Sequence, residues 1–133
     1  MIMNEKNLQK FEEDEEFTSY HPVKPVIIFG SELDADECTV SVSRNLNQTD
    51  TALVLTKYLE WLSSCKNEIT GYFHTKLKED LPEDWFENIE VYDASITFLT
   101  LEDFGATVRF GEDIFSDHII ELQIDKYKIT EMV

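Results

Sequence analysis

The chain has 133 residues, 42% of them apolar and 16 of them aromatic (2 Trp, 5 Tyr and 9 Phe), which suits one domain whose core needs neither metal nor disulfide. Against 28 Asp and Glu stand 11 Lys and Arg, a formal charge of −17. A field of that sign repels phosphate, so nucleic acid and anionic membrane are poor partners and a cationic protein is a good one.

Gly and Pro number 4 and 3, too few for a fibrous or low-complexity chain. The longest run without Asp, Glu, Lys or Arg is the stretch Ala94 to Leu101, far short of the roughly 20 residues a membrane helix needs. The opening Met1-Ile2-Met3-Asn4-Glu5-Lys6 has no apolar stretch behind it and does not read as a secretory signal. A cytoplasmic protein is expected. Cys38 and Cys65 lack CxxC spacing and fall on apolar faces, the pattern of buried reduced thiols.

Residues 1–20 differ from the rest in composition. Glu12, Glu13, Asp14, Glu15 and Glu16 lie between Phe11 and Phe17, and five adjacent like charges disfavour ordered structure in isolation. The expectation is an acidic N-terminal arm, with residues 21–133 as a single domain. The arm is either a solvated segment or one that docks on a basic partner through Phe11 and Phe17.

Pro22 and Pro25 punctuate the chain, and Val26-Ile27-Ile28-Phe29 before Gly30 reads as a short strand. Cys38, Val40 and Val42 alternate with Thr39, Ser41 and Ser43, as in a half-buried strand. Between them Glu32, Asp34, Asp36 and Glu37 form an acidic loop. Asp34-x-Asp36 resembles the start of a calcium loop, but the sixth position is Thr39 rather than Gly and the twelfth is Asn45 rather than Glu, which excludes an EF-hand.

Leu55, Tyr58, Leu59, Leu62, Cys65, Ile69, Tyr72, Phe73 and Leu77 recur at helical spacing, predicting one long helix over about residues 50–79. Thr49 or Asp50 would cap its start, Gly71 marks a kink or a break, and Asp80-Leu81-Pro82 ends it. Pro82-Glu83-Asp84-Trp85-Phe86 then reads as a short helical turn.

From Ile89 onward the period is two, with four strands led by Tyr92, Phe104, His118 and Tyr127. Their short connections require antiparallel neighbours. One face is apolar, and the other carries Thr97, Thr107, Arg109, Glu121 and Gln123. The predicted architecture is a two-layer α+β domain, a mainly antiparallel sheet packed against one long helix.

Motifs for nucleophilic, phosphate-cradling or metal chemistry (GxSxG, a Gly-rich loop, HExxH, CxxC) are missing, so no catalytic residue, cofactor or metal site is assigned. His118 is in phase with Ile120, Leu122 and Ile124, which makes it first a hydrogen-bonded histidine at a strand end. An enzyme would have to use His118 with Asp113 or Asp117.

The segment Gly111-Glu112-Asp113-Ile114-Phe115-Ser116-Asp117-His118-Ile119-Ile120-Glu121-Leu122 resembles the D-x-F-x-x-H-x-I ending of small uncharacterised bacterial domains. Some of those resemble immunity proteins of polymorphic toxin systems. The likeness extends as a pattern of elements over about residues 26–130, with Asp113, Phe115 and His118 as its sharp positions, while Ser116 departs from the Gly common there. It implies a binding role rather than a reaction. Together with the charge, it points to an acidic domain that neutralises a cationic, nuclease-type toxin. A structural or regulatory interaction module is the alternative.

Expected contacts with such a partner are the arm Glu12 to Glu16, the loop residues Asp34, Asp36 and Glu37, and the patch Glu79, Asp80, Glu83 and Asp84 with Trp85 as aromatic anchor. The repulsion between two copies carrying −17 each favours a monomer over a homodimer.

Overall fold

In a computed structural model, residues 5–78, 80–112 and 119–132 are described. They form an α+β domain built on a seven-stranded sheet. Its strands are β1 (Leu8–Glu13), β2 (Phe17–Pro22), β5 (Cys38–Ser43), β6 (Ile89–Phe98), β7 (Phe104–Glu112), β8 (Ile119–Asp125) and β9 (Lys128–Met132), in the order 1-2-5-6-7-8-9. All neighbours are antiparallel except β5 and β6. That parallel pair needs a crossover, and the chain supplies it with α1 (Gln48–Ser63), α2 (Lys66–Tyr72) and α3 (Trp85–Asn88).

The helix is therefore not one long element, and the sheet is larger than the sequence suggests. Asn47, not Thr49 or Asp50, caps α1: its backbone is still extended and its Oδ1 accepts the N–H groups of Thr49 (2.8 Å) and Asp50 (3.1 Å). The break falls at Ser64 and Cys65 rather than at Gly71, which sits inside α2. The hydroxyls of Ser63 and Ser64 both donate to the Glu60 carbonyl oxygen, at 2.7 and 3.1 Å, and so compete with the backbone ladder. Beyond α2 a π-helical turn, Phe73–Leu77, stops at the left-handed Lys78 (φ 58°), ahead of Pro82.

Most of the predicted apolar stripe faces the core: Leu55, Tyr58, Leu62, Cys65, Ile69 and Phe73 are buried in one cluster with Val40, Ile96, Val108, Phe110 and Leu122 of the sheet, Leu59 and Tyr72 are partly buried against it, and Leu77 is exposed. Tyr58 is fully buried, with Phe104 and Tyr127 edge-on to its ring. Among the described residues its hydroxyl has no hydrogen-bond partner. A buried, unpaired hydroxyl costs free energy. Tyr58→Phe is therefore expected to leave stability unchanged or to raise it by up to about 1 kcal/mol in urea unfolding. A loss larger than that would mean that the hydroxyl is satisfied.

Residues 1–20 are expected as an arm, but Leu8–Glu13 and Phe17–Pro22 pair as a β-hairpin of the sheet. Asp14 makes the turn, its Oδ1 accepting the N–H groups of Glu16 and Phe17, both at 2.8 Å. Glu13 is flanked by Lys10 (3.1 Å) and Arg44 (3.0 Å), which offset the local charge density. These contacts hold the carboxyl groups of Glu13 and Asp14 below their ordinary pKa values, Lys10 acting most on Glu13 and the Phe17 N–H most on Asp14.

The acidic loop after Gly30 also has structure. β3 (Val26–Ile28) and β4 (Ser31–Leu33) form a second, two-stranded sheet, and a 3-10 turn at Ala35–Glu37 leads into β5. Phe29 and Gly30 join β3 to β4 with φ of 54° and 80°, the signature of a mirror-image hairpin turn. The buried Phe29 ring meets Phe86 and Phe110 edge-on, and its N–H donates to the Leu62 carbonyl oxygen at 2.9 Å. This fastens the small sheet to the end of α1. Among the described residues no helix is long and apolar enough to cross a membrane.

Candidate functional site

Period-two alternation puts one side chain in two on the face of the sheet opposite the helices. The pairing register aligns them in rows across strands. One row runs Thr39, Ser95, Thr107, Gln123 and Glu131 across β5 to β9. A second runs Ser19, Ser41, Thr97, Gly105, Asp125 and Lys128, and a third, shorter one runs Asp93, Arg109 and Glu121. The face is bound together by polar contacts across and along its strands: Thr107 Oγ1 donates to Gln123 Oε1 at 2.8 Å between β7 and β8, Gln123 Nε2 donates to Glu121 Oε2 at 3.1 Å along β8, and the Ser19 and Ser41 hydroxyls of β2 and β5 are 3.2 Å apart.

Two open basins lie on this face. The first, about 350 Å³, has Gly105 in its lining and Asp103 and Asp125 at its margin. A Cβ at position 105 would stand 2.5 Å from the Ile124 carbonyl oxygen, so glycine is required for β7 and β8 to approach there. The second, about 480 Å³, is lined by Asp36, Glu37, Asp93, Arg109 and Glu121 among others. Ser95 and Thr107 line both basins, making one trough along β6 and β7.

Arg109 is the cation of the trough among the described residues, and it is already engaged. Its Nε donates to Asp93 Oδ1 at 2.9 Å and its Nη2 contacts Asp93 Oδ2. This two-point hold raises the Arg109 pKa above its ordinary value, with Asp93 the main cause and Glu121 a smaller one. Asp36, Glu37, Asp103, Glu121 and Asp125 form no ion pair among the described residues.

The three acidic segments expected from the sequence do not form one patch. The hairpin tip, Glu12 to Glu16, lies beside the C-terminal end of β5, because Phe17 pairs with Ser43. Asp34, Asp36 and Glu37 precede the N-terminal end of β5, about 16 Å away at strand rise. Asp80, Glu83 and Asp84 precede α3 and β6, which runs parallel to β5, so they enter the sheet from that same end.

Only Asp36 and Glu37 of these acids line the trough. Asp80 pairs with His74 at 2.9 Å, and the backbone carbonyl oxygen of Glu83 accepts from Lys66 at 3.1 Å. Trp85 is not a surface anchor: it is 2% exposed, with Phe73, Phe86 and Phe110 edge-on around it. Burying the indole removes more apolar surface from water than any other choice in that short helix. Glu79, Asp113, Phe115 and His118, and with them the motif resemblance and any chemistry of His118, lie outside the described residues.

Alternation in the sequence places Thr97, Thr107, Arg109, Glu121 and Gln123 on one polar face, but carries no sign that Asp36 and Glu37 join it. That follows from the parallel placement of β5 beside β6, with Cys38 opposite Ala94. Among the described residues, no group of three His, Cys, Asp or Glu is placed to hold a metal ion. Comparison with protein-family models, with curated proteins and with solved structures gives no match for this chain.

Proposed function

We propose that the chain is a protein-binding domain that seats a cationic protein on the open face of its sheet, acting as an immunity protein does when it neutralises a basic, nuclease-type toxin. The observation that carries this reading is the charge of the trough: five carboxylates without an ion pair, and a single arginine already held by Asp93. A nuclease site is basic because it binds phosphate, and an acidic face complements it and steers its approach. The chain's −17 charge adds a long-range field of the same sign.

The reading is tested by capture. Immobilised protein mixed with a lysate of its native cells is expected to retain basic proteins at low ionic strength and fewer of them at physiological ionic strength, where the Debye length is about 8 Å. The isosteric variant Glu37→Gln/Glu121→Gln/Asp125→Asn changes two exposed groups and the half-buried Glu121, whose acceptor oxygen glutamine keeps for Gln123, and is expected to fold normally while losing those proteins. Equal retention by the variant would contradict the open face as the binding surface.

A further inference from the structure

The helix layer carries a feature of its own, on the side of the molecule away from the open sheet face. Leu53 of α1 is 55% exposed. Beside it β3 runs along α1, fastened where the Phe29 N–H meets the Leu62 carbonyl oxygen. Between the two elements lies an apolar groove of about 160 Å³, lined by Pro25, Val26, Ile27, Thr56 and Leu59 among others. Thr56 is one turn on from Leu53, so a projecting apolar side chain and a groove fit to receive one are neighbours on the same helix. Asp50 and Lys57 flank Leu53 along α1, both exposed and neither in an ion pair among the described residues.

We infer that this face joins two copies of the chain about a two-fold axis, Leu53 of each copy entering the groove of the other. A surface that holds a projection, a matching groove and one exposed charge of each sign is complementary to itself, which is what an isologous contact requires. With the two α1 helices antiparallel and Leu53 of each opposite Thr56 of the other, Lys57 comes level with position 52 of the other copy. Asp50 of that copy is then about 3 Å away along the helix axis, within the reach of a lysine side chain, and symmetry makes the pair twice. Glu60 comes level with Thr49 in the first turn of the other helix, where the dipole favours a carboxylate. Each copy carries −17, but on this face Lys57 and Lys24, next to Pro25, offset Asp50 and Glu60. At physiological ionic strength a Debye length of about 8 Å screens the more distant acids. The contact leaves the open sheet face free, so it stands apart from the proposed function.

Sedimentation equilibrium of the full chain at physiological ionic strength is expected to show a weak dimer, with Kd on the order of 100 µM or tighter for so small a face. Leu53→Lys is expected to leave only monomer. Asp50→Lys and Lys57→Asp each set like charges against one another twice. Each is expected to weaken the dimer about tenfold, the scale of two exposed ion pairs, and the swapped variant Asp50→Lys/Lys57→Asp to regain the wild-type affinity. A chain that stays monomeric up to about 1 mM, a dimer that Leu53→Lys does not weaken, or a swapped variant no tighter than the single ones would overturn the two-fold contact. None of those results bears on the capture of basic proteins by the open face.

Discussion

Trp85→Ala is expected to cost about 3–5 kcal/mol of stability, the range for truncating a large aromatic side chain in a packed core, and to lower Tm by about 10 °C or more. The indole fills the junction where α3 meets the sheet, between Phe73 of the π-helical turn, Phe86 of its own helix and Phe110 of β7. Alanine would leave a cavity bounded by elements that cannot close independently, since Phe29 and Phe110 also pack on one another edge-on at 5.9 Å. Urea unfolding of the two proteins measures the effect. A loss below about 0.5 kcal/mol, the ordinary cost of a surface change, would put Trp85 back at the surface among the acids that precede it.

Raising the pH from 7.5 to 10 under reducing conditions is expected to remove about 3 kcal/mol of stability through two thiols. Cys38 and Cys65 are both buried, and burial pushes each thiol from its ordinary 9.0 up to about 12. In the unfolded chain both ionise near 9.0, whereas the folded chain keeps both protons to about 12. The unfolded state thus binds fewer protons above pH 9, and stability falls by about 1.4 kcal/mol per pH unit per thiol between those limits. Below pH 9 the contribution is intact. Unfolding curves of the wild type and of Cys38→Ala/Cys65→Ala at both pH values check the sign: the variant starts less stable, from the cavities, but has the shallower alkaline loss. Parallel losses in the two proteins would assign the pH dependence elsewhere. Tyr58, whose hydroxyl burial also drives upward, adds to the loss only as the pH passes about 10.

Much of this fold is written in local periodicity. The stripe from Leu55 to Phe73 and the alternation after Ile89 follow from which side chains must leave water, and most of the residues so predicted are in the core or packed against it, whereas Tyr92, at the irregularity of β6 between Val91 and Asp93, and Tyr127 are 40% and 45% exposed. What escapes local reading depends on partners far along the chain. The run Glu12 to Glu16 looks unfavourable for order until Arg44 comes within 3.0 Å of Glu13 and 3.3 Å of the Asp14 carbonyl oxygen, a contact between segments about 30 positions apart. The helix break at Ser64 turns on two hydroxyls competing for one carbonyl oxygen, which no hydrophobic pattern records.

The candidate site divides in the same way. Alternation along β6, β7 and β8 puts Thr97, Thr107, Arg109, Glu121 and Gln123 on one face, so the polar surface was legible. Strand order was not: Asp36 and Glu37 reach the trough because β5 lies parallel to β6, a pairing set by the crossover through three helices. Trp85 misleads from sequence because its neighbours Glu83 and Asp84 are exposed while its own ring turns inward.

The central claim, that an acidic open face receives a cationic protein, is tested most directly by the association rate of the captured partner as a function of ionic strength. If the face steers its partner, the on-rate falls steeply, by tenfold or more on the scale of electrostatic steering, from low to physiological salt. The Glu37→Gln/Glu121→Gln/Asp125→Asn variant would show a slower rate at low salt and a flatter dependence. An on-rate indifferent to salt, or a salt dependence unchanged in the variant, would contradict it.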